Sequence, residues 1–270
     1  MRVRVVFHTV GDAVLLPWDY QHHLQGMLYT LLIEECPELD ELLHQEGVAW
    51  GPKRFRMLTF SKLYPLRAVP SDGGLLMRPP LRWWVATALS VVGEVLVGTL
   101  LKTAEVRVAG KPLFVASVEV ESLPPFEADG ALYETMGPLV VSRPEKRDGK
   151  LRHMYLSPDQ EEFWNRLARN LQAKAEALGI GAKGGGVAFE PFGNWRSRLV
   201  RIQGAKVRGF EGRFRAWGDP ALLELAYNAG LGERNGQGFG MIHQVGWKPS
   251  FSVPRLHPPL RQARRAAREI

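Results

Sequence analysis

A chain of 270 residues, 45% hydrophobic and 23% charged, has the makeup of an ordinary globular protein and can bury one large core or two small ones. Its 35 Lys and Arg exceed its 28 Asp and Glu, and the net charge of +7 favours a polyanionic partner, because neutralised phosphates release condensed counterions. The lone cysteine, Cys36, rules out an internal disulfide and a thiolate zinc site. The most apolar run, residues 85–101, is interrupted by Gly93, Glu94 and Gly98, so a cytoplasmic protein without signal peptide or membrane span is expected.

Residues 2–8 (Arg-Val-Arg-Val-Val-Phe-His) alternate in polarity and predict a strand with one buried face. Asp19 can cap a helix running to about Glu35, where Pro37 ends it. On that helix Leu24, Met27, Leu28, Leu31 and Leu32 form the apolar stripe. His22, Gly26, Tyr29 and Ile33 fall on the opposite side, with His22 and Tyr29 only about 20° apart. A histidine and a tyrosine stacked beside a glycine, away from the core, suit a docked ligand; His23 points to the flank. Strands are expected at residues 55–63 and 81–86, then a helix to residue 101 and a strand within 105–121. The order β-α-β-β-α-β is the ferredoxin-like pattern.

Pro124-Pro125 marks a linker, after which a second pass begins. It comprises a strand at 137–142, a helix at 159–178 with Phe163, Leu167 and Leu171 on one face, a hairpin of 199–206 with 208–217, a helix at 221–229 and a strand at 239–245. The expected fold is therefore α+β: two tandem ferredoxin-like (RRM-like) domains at 1–123 and 124–250, followed by a basic tail at 251–270 with Arg261, Arg264, Arg265 and Arg268. Between two apolar runs, Arg143, Lys146, Arg147, Lys150 and Arg152 form either a solvated hairpin or a phosphate-contacting loop, with Arg143 and Arg147 as candidate phosphate contacts. Residues 181–186 read as a flexible loop without chemistry.

The most informative stretch is Gly230-Leu231-Gly232-Glu233-Arg234-Asn235-Gly236-Gln237-Gly238-Phe239-Gly240. It lacks the Lys-Ser/Thr of a Walker loop and the third glycine of a dinucleotide fingerprint. A glycine-rich turn with one arginine can hold phosphate on its N–H groups, which makes Gly232, Gly236, Gly238 and Arg234 candidate phosphate-binding positions.

That segment resembles the glycine-rich loop of the RAMP superfamily of CRISPR-associated proteins. The run Leu16-Pro17-Trp18-Asp19-Tyr20-Gln21-His22-His23-Leu24-Gln25-Gly26-Met27-Leu28-Tyr29, then Leu43-His44, then Phe55-Arg56-Met57-Leu58-Thr59-Phe60-Ser61 resemble the endoribonuclease that cuts CRISPR repeat RNA. Glu134-Thr135-Met136-Gly137-Pro138-Leu139-Val140-Val141 is similar to that family's mid-chain strand. The resemblance implies the same tandem fold and metal-independent attack by a 2′-hydroxyl, leaving a 2′,3′-cyclic phosphate and a 5′-hydroxyl. It implies that His44 is the general acid or base and that Tyr29 matches the family's helix tyrosine.

Such chemistry needs a base for the 2′-hydroxyl, an acid for the leaving 5′-oxygen and a cation for the phosphorane. His44, Tyr29 and His22 are the candidates for the first two tasks, histidine because its unperturbed pKa is about 6.5. Lys53 and Arg56 compete for the third, Arg through two parallel hydrogen bonds and Lys as a point charge. No cofactor or metal is expected. Repeat RNA, single-stranded or hairpin, is the expected partner; a homodimer and a CRISPR effector complex are compatible with it. The rival reading on the same fold is a non-catalytic RNA-binding subunit of such a complex.

Overall fold

The computed structural model describes residues 1–254 apart from 46, 148, 182–184 and 203, with the backbone but not the side chains at 44, 45, 147, 150 and 151. Strand β1 (Arg2–His8) turns Val3, Val5 and Phe7 into the core, as its alternation predicts. A short β2 (Val14–Pro17) leads into α1 (Tyr20–Glu35), which buries Leu24, Leu28 and Leu32 completely. Asp19 stands at the N-cap, but its side chain makes no capping hydrogen bond. The Cys36 N–H closes the last turn on the Leu32 carbonyl at 3.0 Å, and Pro37 follows without an N–H to continue it.

A π-helical turn (Glu41–Gln45) precedes β3 (Val48–Trp50), β4 (Lys53–Phe55) and β5 (Leu58–Phe60). The single strand expected at 55–63 is split because Met57 adopts φ 50° and turns its carbonyl to the Ala88 N–H and the Thr87 hydroxyl. Strands β6 (Arg67–Ser71) and β7 (Gly74–Arg78) join β2 in a small three-stranded sheet absent from the sequence reading. Then come β8 (Leu81–Thr87), α2 (Ser90–Leu100), β9 (Glu105–Val108) and β10 (Lys111–Glu121). Hydrogen bonding runs β10-β1-β8-β5, which sets the last strand of a β-α-β-β-α-β unit beside its first.

The second half repeats this. It contains β11 (Ala131–Thr135), β12 (Ser142–Arg147), β13 (Lys150–Tyr155), α3 (Glu161–Ala177), β14 (Val187–Ile202), β15 (Ala205–Gly218), α4 (Pro220–Ala229) and β16 (Ile242–Gln244). Its sheet order, β14-β15-β11-β16, is the ferredoxin-like order again. The tandem α+β architecture thus matches the sequence expectation.

Its first strand does not. The strand is β11, whereas the apolar run at 137–142 is core chain whose reciprocal backbone pair is Leu139 with Phe210, at 2.8 and 2.9 Å, while Pro138, Val140 and Val141 accept from Gly240, Glu233 and Leu156. Strand β16 is shorter than the expected 239–245 because Gly240 takes φ +80°. Strand β17 (Phe251–Ser252), at the start of the expected tail, returns to the first half and pairs with β10. The tail from residue 255, with Arg261, Arg264, Arg265 and Arg268, lies outside the described residues, as do 182–184 of the expected loop.

Candidate functional site

The glycine-rich segment, residues 230–240, leaves α4 through a 3-10 turn (Asn235–Gln237) and lies between the two halves. Side chains of the first half collect its carbonyls. Gln21 Nε2 donates to Gln237 O and Gly238 O at 3.0 and 2.9 Å, the Tyr29 hydroxyl to Gly236 O at 3.1 Å, and the Thr59 hydroxyl to Phe239 O at 2.9 Å. From the other side, Lys174 Nζ donates to Gly230 O, Gly232 O and Asn235 Oδ1 at 2.7, 3.1 and 2.6 Å. Asn235 Nδ2 in turn donates to Leu231 O and Phe239 O. Three acceptors match the three donors of an ammonium. Burial pulls Lys174 down to about 7, against the pull of the Glu233 carboxylate in the opposite direction.

Several N–H groups of the segment are engaged as well: those of Leu231, Glu233, Gln237, Gly238 and Gly240 donate to backbone carbonyls. The glycines do permit close approach, and in this structure the approaching groups are the protein's own. A Cβ at Gly232 would meet the Val140 carbonyl, at Gly236 the Tyr29 hydroxyl and the Arg56 side chain, and at Gly238 the Phe60 ring. Arg234 is different. It is exposed, in the left-handed region at φ 59°, with Nη1 on Gln237 Oε1 at 3.1 Å.

Helix α1 presents the second element of the site. Tyr29, expected on an open face, is only 4% exposed, because the second half's glycine segment covers its hydroxyl; that expectation is corrected. Burial raises the Tyr29 pKa, opposed by the Arg56 charge, so the phenol keeps its proton at neutral pH. Beside it opens a cavity of about 330 Å³ whose lining includes His22, Gln25, Gly26, Tyr29 and Thr30. His22 Nδ1 and Gln25 Oε1 are buried there with no hydrogen-bond partner among the described residues. The His22 and His23 ring centres are 5.7 Å apart.

Arg56 Nε donates to the Leu43 carbonyl at 2.7 Å and so ties down the peptide that leads into His44. His44 lies in the π-helical turn; its side chain is outside the described residues. Lys53 is exposed on β4, with Nζ 5.5 Å from the centre of the Trp50 ring. The structure therefore brings Tyr29, Arg56, Gly236 and the Leu43-His44 step together, with Lys53 exposed on the strand that precedes Arg56. Arg143 is ion-paired to Glu162 at 2.8 Å, which Arg166 also holds, and the Arg147 side chain is outside the described residues.

Two features escaped the sequence reading. Lys174 carries no local signal, since its partners are 56 to 61 residues away. A cavity of about 500 Å³, lined by Arg4, Tyr64, Trp84, His243, Trp247 and Phe251 among others, draws on both halves. Burial lowers the His243 pKa there, with Arg2 acting in the same direction.

The chain matches two family models: "CRISPR-associated protein Cas6, N-terminal" over residues 15–119 and "CRISPR associated protein Cas6, C-terminal" over residues 121–244. It is 27% identical over 249 residues to the CRISPR-associated endoribonuclease Cas6 of Pyrococcus furiosus, covering 91% of this chain and 90% of the relative. It is 24% identical over 247 residues to CRISPR-associated endoribonuclease Cas6 1 of Methanocaldococcus jannaschii, covering 91% and 93%. A solved structure described as a RAMP protein binding different RNA substrates superposes with a TM-score of 0.77 at 21% identity, over 91% of this chain and 99% of the other. With both halves matched in order by the two parts of one protein, the chain belongs to the CRISPR-associated Cas6 family.

Proposed function

We propose that this protein is an endoribonuclease that binds and cuts CRISPR repeat RNA without a metal ion. The observation that carries the reading is the convergence at α1. A buried, protonated tyrosine, a cavity lined by a histidine, and an arginine that anchors the Leu43-His44 step adjoin one another. The relatives named endoribonucleases, and the RNA-binding neighbour, support the same substrate class.

In this mechanism a base takes the 2′-hydroxyl proton while O2′ attacks phosphorus. The P–O5′ bond breaks, and an acid protonates the leaving oxygen, giving a 2′,3′-cyclic phosphate and a 5′-hydroxyl. His44 and His22 are the proton-transfer groups. Tyr29 acts as a hydrogen-bond donor and not as a base, because burial holds its proton. Arg56 positions the His44 peptide and adds positive charge, and exposed Lys53 is the cation for the scissile phosphate. Arg234, Arg143 and Arg147 contribute phosphate contacts that set affinity. In the glycine segment, Gly232, Gly236 and Gly238 let the two halves close around the site.

The test uses repeat RNA in EDTA, with a second RNA carrying a single 2′-deoxy sugar 5′ of the cut. The first should be cut once, leaving a cyclic phosphate, and the second should bind but stay whole. Cleavage of the deoxy substrate, or a requirement for added magnesium, would refute the mechanism. Tight binding of both RNAs with no cut would leave a purely RNA-binding subunit.

A further inference from the structure

We propose that Gly26 forms a saddle across helix α1, over which the sugar–phosphate backbone of the RNA passes from one cavity to the next. This rests on the RNA-cutting reading above. Glycine in a helix interior is unfavourable relative to alanine, because it loses more backbone freedom on folding. Gly26 is the seventh of the 16 residues of α1, and nothing inside the protein accounts for it. Its φ is not in the positive region, it is exposed, and apart from its chain neighbours and the helix's own backbone no atom lies within 4 Å of the point where its Cβ would stand. Gly236 and Gly238, by contrast, are filled in by neighbours.

The space above Gly26 is bounded in a particular way. The 330 Å³ cavity on the Tyr29 side and a second of about 390 Å³ on the β9 side both include His22, Gly26 and Thr30 in their lining. These residues are spaced i, i+4 and i+8, which stacks them in one row along the helix axis. The row is the ridge between the two cavities, and Gly26 is its missing middle. Any side chain there would raise a wall between them.

The ligand chemistry follows from what surrounds the saddle. On the first side the cavity is lined by the polar side chains of His22, Gln25 and Thr30, which suit a ribose hydroxyl, since it both donates and accepts. On the other side stand His23 and Arg107, the latter ion-paired to Glu105 yet 67% exposed, as suits phosphate. A strand of alternating sugars and phosphates meets both requirements in order.

The experiment compares Gly26→Ala and Gly26→Leu with the natural protein. Full-length repeat RNA is set beside two shortened RNAs, one truncated just 5′ and one just 3′ of the cut. Gly26→Ala should melt about 2–4 °C higher, because the helix gains and nothing clashes. Both variants should nevertheless cut full-length RNA more slowly in single turnover, by about tenfold for alanine and about a hundredfold for leucine, as a displaced strand leaves the reacting geometry. The defect should shrink to about twofold or less on the one shortened RNA that lacks the crossing segment. Affinity for the 2′-deoxy RNA is measured alongside, so that a protein that binds without cutting still tests the saddle: Gly26→Leu should bind it about tenfold more weakly. Gly26→Leu acting like the natural protein on full-length RNA, in both rate and affinity, would overturn the proposal. So would an equal defect on both shortened RNAs.

Discussion

Replacing Gly238 by alanine tests whether the glycine-rich segment serves the fold or a phosphate. Gly238 sits at φ +85°, where a side chain costs about 1–2 kcal/mol. The added Cβ would stand 2.5 Å from Phe60 Cε2 and 2.8 Å from Gln21 Nε2. Phe60 is fully buried and stacked edge-on against Trp83 at 5.8 Å, so it cannot swing away, and such overpacking costs about 1–3 kcal/mol. Displacing Gln21 endangers its bonds to Gln237 O and Gly238 O, each contributing about 1 kcal/mol. The combined loss of about 2–7 kcal/mol should lower the melting temperature by at least about 4 °C, at about 2–4 °C per kcal/mol. Scanning fluorimetry reads this directly, and RNA affinity is then measured well below the transition. A melting point within about 3 °C of the natural protein would refute the packing argument. A loss of RNA affinity beyond about tenfold in folded Gly238→Ala would return the segment to the phosphate-cradle role.

Three further outcomes are expected. His44→Ala should slow single-turnover cleavage by about 10²–10⁴-fold with RNA affinity nearly unchanged, whereas a loss below about tenfold would move the proton-transfer role to His22. Arg234→Ala should reduce the slope of log affinity against log salt by about one, the counterion share of one phosphate, and an unchanged slope in the folded variant would remove that arginine from the RNA surface. Lys174 is depressed to about 7 when folded but titrates at 10.5 when free, so the unfolded chain binds the extra proton between those values, and its contribution to stability rises with pH across that window. Denaturant titrations of the natural protein and Lys174→Met at pH 6.5 and pH 9 check this; parallel changes in the two proteins would count against a neutral folded-state lysine.

Much of the fold could be read from periodicity, because β1, α1, α3 and α4 each bury one face against a layer the pattern implies. The misreadings share a cause. The run at 137–142 is apolar like a strand, and Leu139, Val140 and Val141 are indeed buried, but burial alone does not supply a partner ladder. Strand β6 is exposed throughout, while β2 and β7 are short and carry apolar residues on both faces (Val14-Leu15-Leu16, Leu75-Leu76-Met77), so no alternation of polarity announces them. At the site, the helical wheel separated Tyr29 from the leucine stripe correctly. It carried no information about what the second half lays over that face. Lys174 stands in the polar-looking run Gln172-Ala173-Lys174-Ala175-Glu176, where an exposed lysine is the ordinary reading; only the fold reveals that the glycine segment closes on it.

The return of β17 to the first half has a consequence for recognition. The chain crosses into the second half after β10 and comes back to hydrogen-bond along that same strand, with Ser122 and Ser250 exchanging further bonds beside it. The halves are thus fastened at their linker, at the glycine segment and at the returning strand, three separated points that oppose a hinge. A ligand gripping both halves meets a spacing already set, and little ordering entropy is lost on binding. Selectivity then comes from which strands fit a rigid gauge, and a poor fit cannot be rescued by closure around it.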